Sequence, residues 1–344
     1  MSLSTLELAA LRRLARAYRR ILVLAVPAAL ASCQDGGDAL APETSDAGGV
    51  VAVPAAAAGL AALNQNRILY AAQIAEEEYD LYGMGPGGGN VTHLTTFAGA
   101  EMNPAWSPDH KQVAFERWRN NRRDIYLMNA DGSNKHWALP TQSSYILGGP
   151  SWSPDGTNLL VVVQTSSTGT TYVAKIDLAS GKLLILAPAG YYNRPGRHPV
   201  YSKDAGWIYY ITGGPPTTPG TSSSFEMRVF KPYGPDYRVC MLVWDAGDLA
   251  LSPDGTKMAY DMRYGGTTQR DIWLYDLKTG KGQRLTSTST NEIMPAWSPD
   301  GSQIAFTGDK AGGWQIYTMS SSTGGNVQKL TSVAMGAASP SWYR

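Results

Sequence analysis

The run Trp-Ser-Pro-Asp occurs at Trp106–Asp109, Trp152–Asp155 and Trp297–Asp300, with eroded copies at Tyr201-Ser202-Lys203-Asp204 and Leu251-Ser252-Pro253-Asp254. Together with Trp342 these anchors lie 46, 49, 50, 46 and 45 residues apart (106→152→201→251→297→342). A fixed period of this length specifies an array of similar supersecondary units. Each unit is too small to bury its own apolar face and is stable only when stacked on its neighbours.

The stretch from Met294 to Thr331 shows what one unit contains. Pro295 to Ser298 is a short strand, and Pro299-Asp300-Gly301 supplies the fixed φ and the glycine of a tight turn. Gln303-Ile304-Ala305-Phe306 alternates as a half-buried strand does. Gln315 to Met319 is a third strand, Ser321 to Asn326 a second turn and Val327 to Leu330 a fourth strand. Four antiparallel strands of this kind make one propeller blade. The same register fits Gln112–Phe115 with Asp124–Leu127, and Lys257–Tyr260 with Asp271–Leu274. The three complete Trp-Ser-Pro-Asp runs read as packing residues.

The ends of the chain indicate how the array is finished. Arg67–Tyr70, Tyr79–Tyr82 and Asn90–Leu94 match strands two, three and four with no first strand before them, whereas Ser339–Trp342 is a first strand with nothing after it. One blade is therefore expected to be shared between the termini, which removes the exposed sheet edge. The expected fold is all-β: a six-bladed propeller of four-stranded antiparallel blades, closed by pairing of the C-terminal strand with the N-terminal strands. It covers residues 65–344.

These motifs resemble the TolB-type, WD-like β-propeller repeat, in which Pro-x-Trp-Ser-Pro-Asp-Gly is followed by Ile-Ala-Phe and by Asp-Ile-Tyr-x-Met. The resemblance implies the fold over about residues 67–344. For function it implies less, because such propellers also stand beside peptidase domains and in sugar-active proteins. TolB-type proteins place an α/β domain before the propeller, where this chain has a low-complexity stretch.

Residues 1–32 read as a secretion signal, with Arg12, Arg13, Arg16, Arg19 and Arg20 before the apolar run Ile21–Leu30. Leu30-Ala31-Ser32-Cys33 resembles the lipobox of bacterial lipoproteins, which implies lipidation of Cys33; the alternative is an ordinary secreted protein with a chance cysteine. Gln34 after that Cys implies, by the enterobacterial sorting pattern, an outer-membrane destination facing the periplasm or the cell surface. Residues 33–64 are rich in Ala, Gly and Pro and carry too little bulky apolar surface to fold. Such a tether reaches roughly 30 Å. Net charge is +1, which gives no reason to expect a nucleic-acid partner. With Cys33 lipidated, Cys240 has no partner for a disulfide within the chain and reads as a buried thiol.

Signatures of chemistry are sparse. Gly83-Met84-Gly85-Pro86-Gly87-Gly88 satisfies Gly-x-Gly-x-x-Gly, yet it stands where the other repeats place hairpin turns rather than before a helix. No Gly-x-Ser-x-Gly, His-Glu-x-x-His or Cys-x-x-Cys occurs. His93, His110, His136 and His198 fall at unlike positions of different repeats and read as packed or solvated. No cofactor and no metal site is expected.

The candidate ligand-binding residues gather at the expected channel mouth. Glu101, Asp248 and Glu292 each precede the inner strand of a blade, and the same face carries the loops holding Arg117 and Trp118, and Tyr192, Arg194 and Arg197. Arg forks and aromatic faces bind carboxylates, phosphates, sugar faces or peptide side chains; the bland alternative is a set of solvated loops. The leading reading is a non-catalytic, membrane-tethered envelope lipoprotein that binds a protein, a peptide or an anionic envelope glycan. One alternative is a glycan-active lyase or hydrolase using the mouth carboxylates, and another is a purely structural envelope assembly module.

Overall fold

The computed structural model describes residues 67–120, 122–139, 145–165, 171–186, 199–214, 224–232, 236–242, 246–264, 267–310 and 313–342. The leader, the tether, Cys33 and the candidates Tyr192, Arg194 and Arg197 lie outside the described residues, as does most of the Pro-rich insertion between 213 and 224.

Every element among the described residues is a strand. The first group is β1 (Ile68–Ala75), β2 (Glu78–Met84), β3 (Thr92–His93), β4 (Ala100–Trp106), β5 (Gln112–Arg119), β6 (Arg122–Asn129) and β7 (His136–Trp137). Then come β8 (Tyr145–Trp152), β9 (Asn158–Thr165), β10 (Thr171–Asp177) and β11 (Lys182–Ile185), followed by β12 (Val200–Tyr201), β13 (Ile208–Gly214), β14 (Ser224–Phe230) and β15 (Asp236–Leu242). The chain continues through β16 (Ala246–Leu251), β17 (Lys257–Arg263), β18 (Arg270–Asp276) and β19 (Lys281–Arg284). It ends with β20 (Glu292–Trp297), β21 (Gln303–Gly308), β22 (Gln315–Ser320), β23 (Gln328–Lys329) and β24 (Ala337–Trp342).

This is the all-β propeller arrangement expected from the repeat, with a difference in how the sheets divide. Four sheets stand apart as four-stranded blades, β8–β11, β12–β15, β16–β19 and β20–β23, where six were expected. The other strands join in one eight-stranded sheet of order β24-β1-β2-β4-β5-β6-β7, with β3 on β2. The physical reason is one parallel bridge, Tyr79 to Ala100, which ties β2 to β4. The C-terminal β24 runs antiparallel to β1, with Ile68 opposite Trp342 and Leu69 opposite Ser341.

The turns behave as their sequence dictates, including the eroded copies. In all five, a serine hydroxyl donates to the aspartate two residues on, at 2.5–2.7 Å, and accepts the N–H five residues on, at or just before the start of the next strand, at 2.9 Å. The outermost strands are shorter than the sequence suggested: β3, β7 and β23 have two residues each, all exposed. Past β3, β19 and β23 a Leu-Thr pair completes the ladder. The hydroxyls of Thr95, Thr286 and Thr331 accept the N–H of Leu81, Ile272 and Ile316 at 2.8–2.9 Å.

The core lies between strand groups rather than within them. Along β5, Val113 and Phe115 pack with Leu69 and Leu81 on one side, while Ala114 packs with Leu147 and Val161 on the other. Along β21, Ile304 and Phe306 pack on Ala259 and Leu274, whereas Ala305 packs with Ile68 and Tyr70 of the first strand. The period of two thus serves two neighbours at once. Trp106, Trp152 and Trp297 are buried. The indole N–H of Trp152 donates to the Ala105 carbonyl at 3.0 Å, and that of Trp297 to Ala250 at 2.9 Å, each reaching the preceding sheet.

Candidate functional site

The inner strands share an irregularity that shapes the space between them. Pairing slips between Met102 and Ala105, Gly148 and Ser151, Ala246 and Leu249, and Ile293 and Ala296, and again where β24 meets β1. At the slip Asn103, Gly149, Met294 and Ser339 take φ of 50, 60, 56 and 56°. A left-handed conformation is costly for a residue with a side chain and persists only when its surroundings hold it. Here neighbouring strands do so. Glu116 accepts the Gly149 N–H at 2.6 Å, Asp261 accepts that of Met294 at 3.3 Å, and Thr307 that of Ser339 at 3.1 Å. Asp261 also accepts the Asp248 N–H at 2.9 Å and is ion-paired with Arg270, both fully buried. A Cβ on Gly148 or Gly247 would collide with these charged groups, which is why glycine stands at both. None of these acceptors was singled out from sequence.

The bulged strands enclose a cavity of about 380 Å³. Its wall repeats Pro-x-Trp, with Pro104, Pro150, Pro295 and Pro340 beside Trp106, Trp152, Trp297 and Trp342. Where the repeat is eroded, Leu249 and Leu251 take the Pro and Trp places, and Val200 lines the wall from the middle position of its copy. Lys203 and Asp248 are the charged residues of the lining.

Of the candidate carboxylates, only Asp248 lines this cavity. The Glu101 side chain is 0% exposed, 3.7 Å from Arg117. Burial and the charge of Asp80 push its carboxyl up to about 8, against the pull of Thr95 and Arg117. Asp80 in turn meets His93 at 2.6 Å, and that imidazole stacks on Tyr82. Glu292, equally buried, accepts from Thr288 and Thr290 at 2.6 and 2.9 Å and lies 3.6 Å from Lys310; burial raises its carboxyl above the ordinary range. Glu101 and Glu292 are therefore each held, buried, in a local network of their own. Two-carboxylate glycoside chemistry needs acids that touch the sugar, which Glu101 and Glu292 do not in this conformation.

Arg117 and Trp118, adjacent in sequence, are parted by the strand that carries them. Arg117 stacks over Phe97 at 4.0 Å and donates to the Tyr126 hydroxyl at 3.0 Å. Trp118 points to the opposite face, donates to Glu116 at 3.2 Å and lies under Arg123. What joins Arg117 is instead Arg119, Arg122 and Trp137, around a separate hollow of about 170 Å³. Alternation along β5 and β6 could have located that group from sequence.

Comparison with known proteins agrees with this architecture. The TolB beta propeller domain family matches residues 58–217 and 245–344. The chain belongs to that family. It is 37% identical over 101 residues to an uncharacterized peptidase, YuxL, of Bacillus subtilis, covering 28% of this chain and 15% of the relative. It is 32% identical over 82 residues to the Tol-Pal system protein TolB of Ruthia magnifica subsp. Calyptogena magnifica, covering 24% of this chain and 19% of that one. The chain thus spans under a fifth of either relative. Among solved structures, TolB from Acinetobacter baumannii superposes with a TM-score of 0.67 at 23% identity, over 81% of this chain and 67% of that one. That likeness is one of fold.

Proposed function

We propose that this chain is a cell-envelope lipoprotein, tethered through Cys33, whose TolB-type propeller holds a segment of a protein or peptide in its central channel and performs no chemistry. The observation that carries this reading is the channel wall, a rigid frame of Pro and Trp edges with Lys203 and Asp248 as its charges. Apolar concavities with a few placed polar groups are the common form of binding sites. Bulges held by buried acceptors keep that wall in shape before a ligand arrives, which lowers the entropic cost of binding. Family membership favours a protein partner, since one relative is a Tol-Pal system protein.

Six closed blades are part of this reading. Dividing the eight-stranded sheet at its single parallel bridge gives two further four-stranded units, and the β24–β1 ladder supports closure by the chain ends. Core clusters support the same count, since one of them packs Ala305 and Ile316 of the last sheet against Ile68 and Tyr70 of the first.

Channel filling tests the site. Ser151→Phe with Ser341→Phe, both in the lining, places two rings in the cavity. Proteins that co-purify with the wild type from an envelope fraction are expected to be lost, with the melting temperature kept. Retention of the same set by a folded variant would move the site out of the channel. The anchor is tested separately by Cys33→Ser, expected to shift the protein from the membrane to the soluble fraction; unchanged fractionation contradicts lipidation.

A further inference from the structure

The hollow beside the channel is built unlike the channel itself. Arg117, Arg119, Asn120, Arg122, Asp124, Tyr126 and Trp137 form its wall, which encloses about 170 Å³. Strand pairing explains how they meet. Arg119 stands directly opposite Arg122, Arg117 opposite Asp124 and Tyr126 opposite Trp137, so period-two alternation sends all six to one face of the sheet. Three guanidinium groups line the hollow with one carboxylate, Asp124, while Glu101, opposite Arg117 on β4, lies 3.7 Å from that guanidinium behind the lining.

Like charges directly opposed across a ladder are destabilising, and Arg119 and Arg122 are opposed in this way. Asp124 accepts from Arg122 at 3.0 Å. Arg117 is fixed as part of the floor by the Tyr126 hydroxyl and the Phe97 ring. Arg119, at the turn, is exposed. Trp137, 42% exposed, lies 5.8 Å from the Arg122 guanidinium and offers a flat apolar side to whatever enters.

We infer that this hollow is a docking pocket for an acidic side chain of a partner protein, its carboxylate gripped by Arg119 and Arg122 and its stem or a neighbouring flat group resting on Trp137. Arg forks match a carboxylate with two parallel hydrogen bonds. The volume admits a side chain and little more. An acidic sugar fits less well, because its hydroxyls need acceptors as well as donors. The lining is rich in donors, and its one carboxylate is already engaged by Arg122. The inference rests on the reading of the propeller as a protein-binding module: the pocket would supply the charged part of a contact whose apolar part enters the channel.

The test uses defined probes on the full chain. A short capped peptide alternating Glu and Gly is titrated by tryptophan fluorescence against the same peptide with Gln, and against free glucuronic acid. The Glu peptide is expected to bind best and to weaken with added salt. Arg119→Ala with Arg122→Ala should reduce its affinity about tenfold or more, because charge-assisted hydrogen bonds are lost. Arg119→Lys, which keeps the charge and loses the fork, should fall between. If the double variant melts early, Arg119→Ala alone gives the same comparison, since Arg119 is exposed. Equal binding of the Gln peptide, tighter binding of glucuronic acid, or unchanged affinity in the arginine variants overturns the inference. The channel-filled variant should still bind the Glu peptide. If that variant loses its partners while no peptide binds the pocket, only this inference fails.

Discussion

At the scale of single residues the repeat tryptophans are structural pins. Trp297 is 6% exposed, and its N–H reaches the Ala250 carbonyl in the preceding sheet. Trp297→Ala is expected to cost about 3–5 kcal/mol, the range for removing a large buried aromatic. Trp297→Phe should cost less and leave the Ala250 carbonyl without that donor, and denaturant unfolding of the two variants checks the order. Buried acids make the opposite kind of contribution. The Glu101 carboxyl is lifted from its ordinary 4.5 to about 8 by burial and by Asp80, in a pocket that also faces Thr95 and Arg117, with His93 bound to Asp80. Between those two values the folded chain keeps a proton that the unfolded chain has lost, so stability falls as pH rises through this window. Glu101→Gln is expected to flatten the dependence and to raise stability most near pH 8; an unchanged slope in urea midpoints from pH 5 to 8 would contradict it. The turn aspartates act in the other direction. Hydroxyl bonds from Ser153, Ser202 and Ser298 hold Asp155, Asp204 and Asp300 below the usual carboxylate value, so their contribution is present at neutral pH and lost as pH falls through those lowered values.

At the scale of elements, β24 is the informative strand. Its Trp342 and Ser341 pair with Ile68 and Leu69, and Ala337 with Trp342 joins the cluster around Tyr70 and Met84. Deleting residues 337–344 is expected to leave β1 with an unpaired edge, to lower the melting temperature and to promote aggregation; a truncated chain that melts with the full chain would exclude a structural role for the pairing. Strands and turns were legible because their signals are local: Pro-Asp-Gly fixes a turn, and Gln303-Ile304-Ala305-Phe306 alternates on the page. The join between β2 and β4 was not legible, because one backbone bridge at Tyr79 depends on how two units settle together. The candidate site was read less well. Arg117 and Trp118 were read as residues of one loop, but both lie in β5, where alternation sends neighbours to opposite faces. Glu101 and Glu292 were placed at a channel mouth, but each is buried beside a cation of the following strand region, Arg117 and Lys310, which spacing in the sequence does not bring together. Of the three candidate acids, Asp248 is the one in the cavity lining.

At the scale of the molecule, one repeated unit provides both the scaffold and the site. The Trp of its Trp-Ser-Pro-Asp segment reaches back to the preceding sheet, and the Pro-x-Trp strand that carries it forms the inner wall. Because every unit contributes the same kind of strand, the wall is largely Pro, Trp and other apolar side chains, and specificity must come from positions where the repeat departs from itself. Asn103, Met294 and Ser339 at the bulges, with Asp248 and Lys203, are those positions. Hydrogen–deuterium exchange on the full chain, with and without a partner isolated by co-purification, tests the central claim most directly. The account predicts added protection at 103–106, 150–152, 248–251, 294–297 and 339–342; protection confined to the outer strands β3, β7, β11, β19 and β23, with the inner strands unchanged, would contradict it.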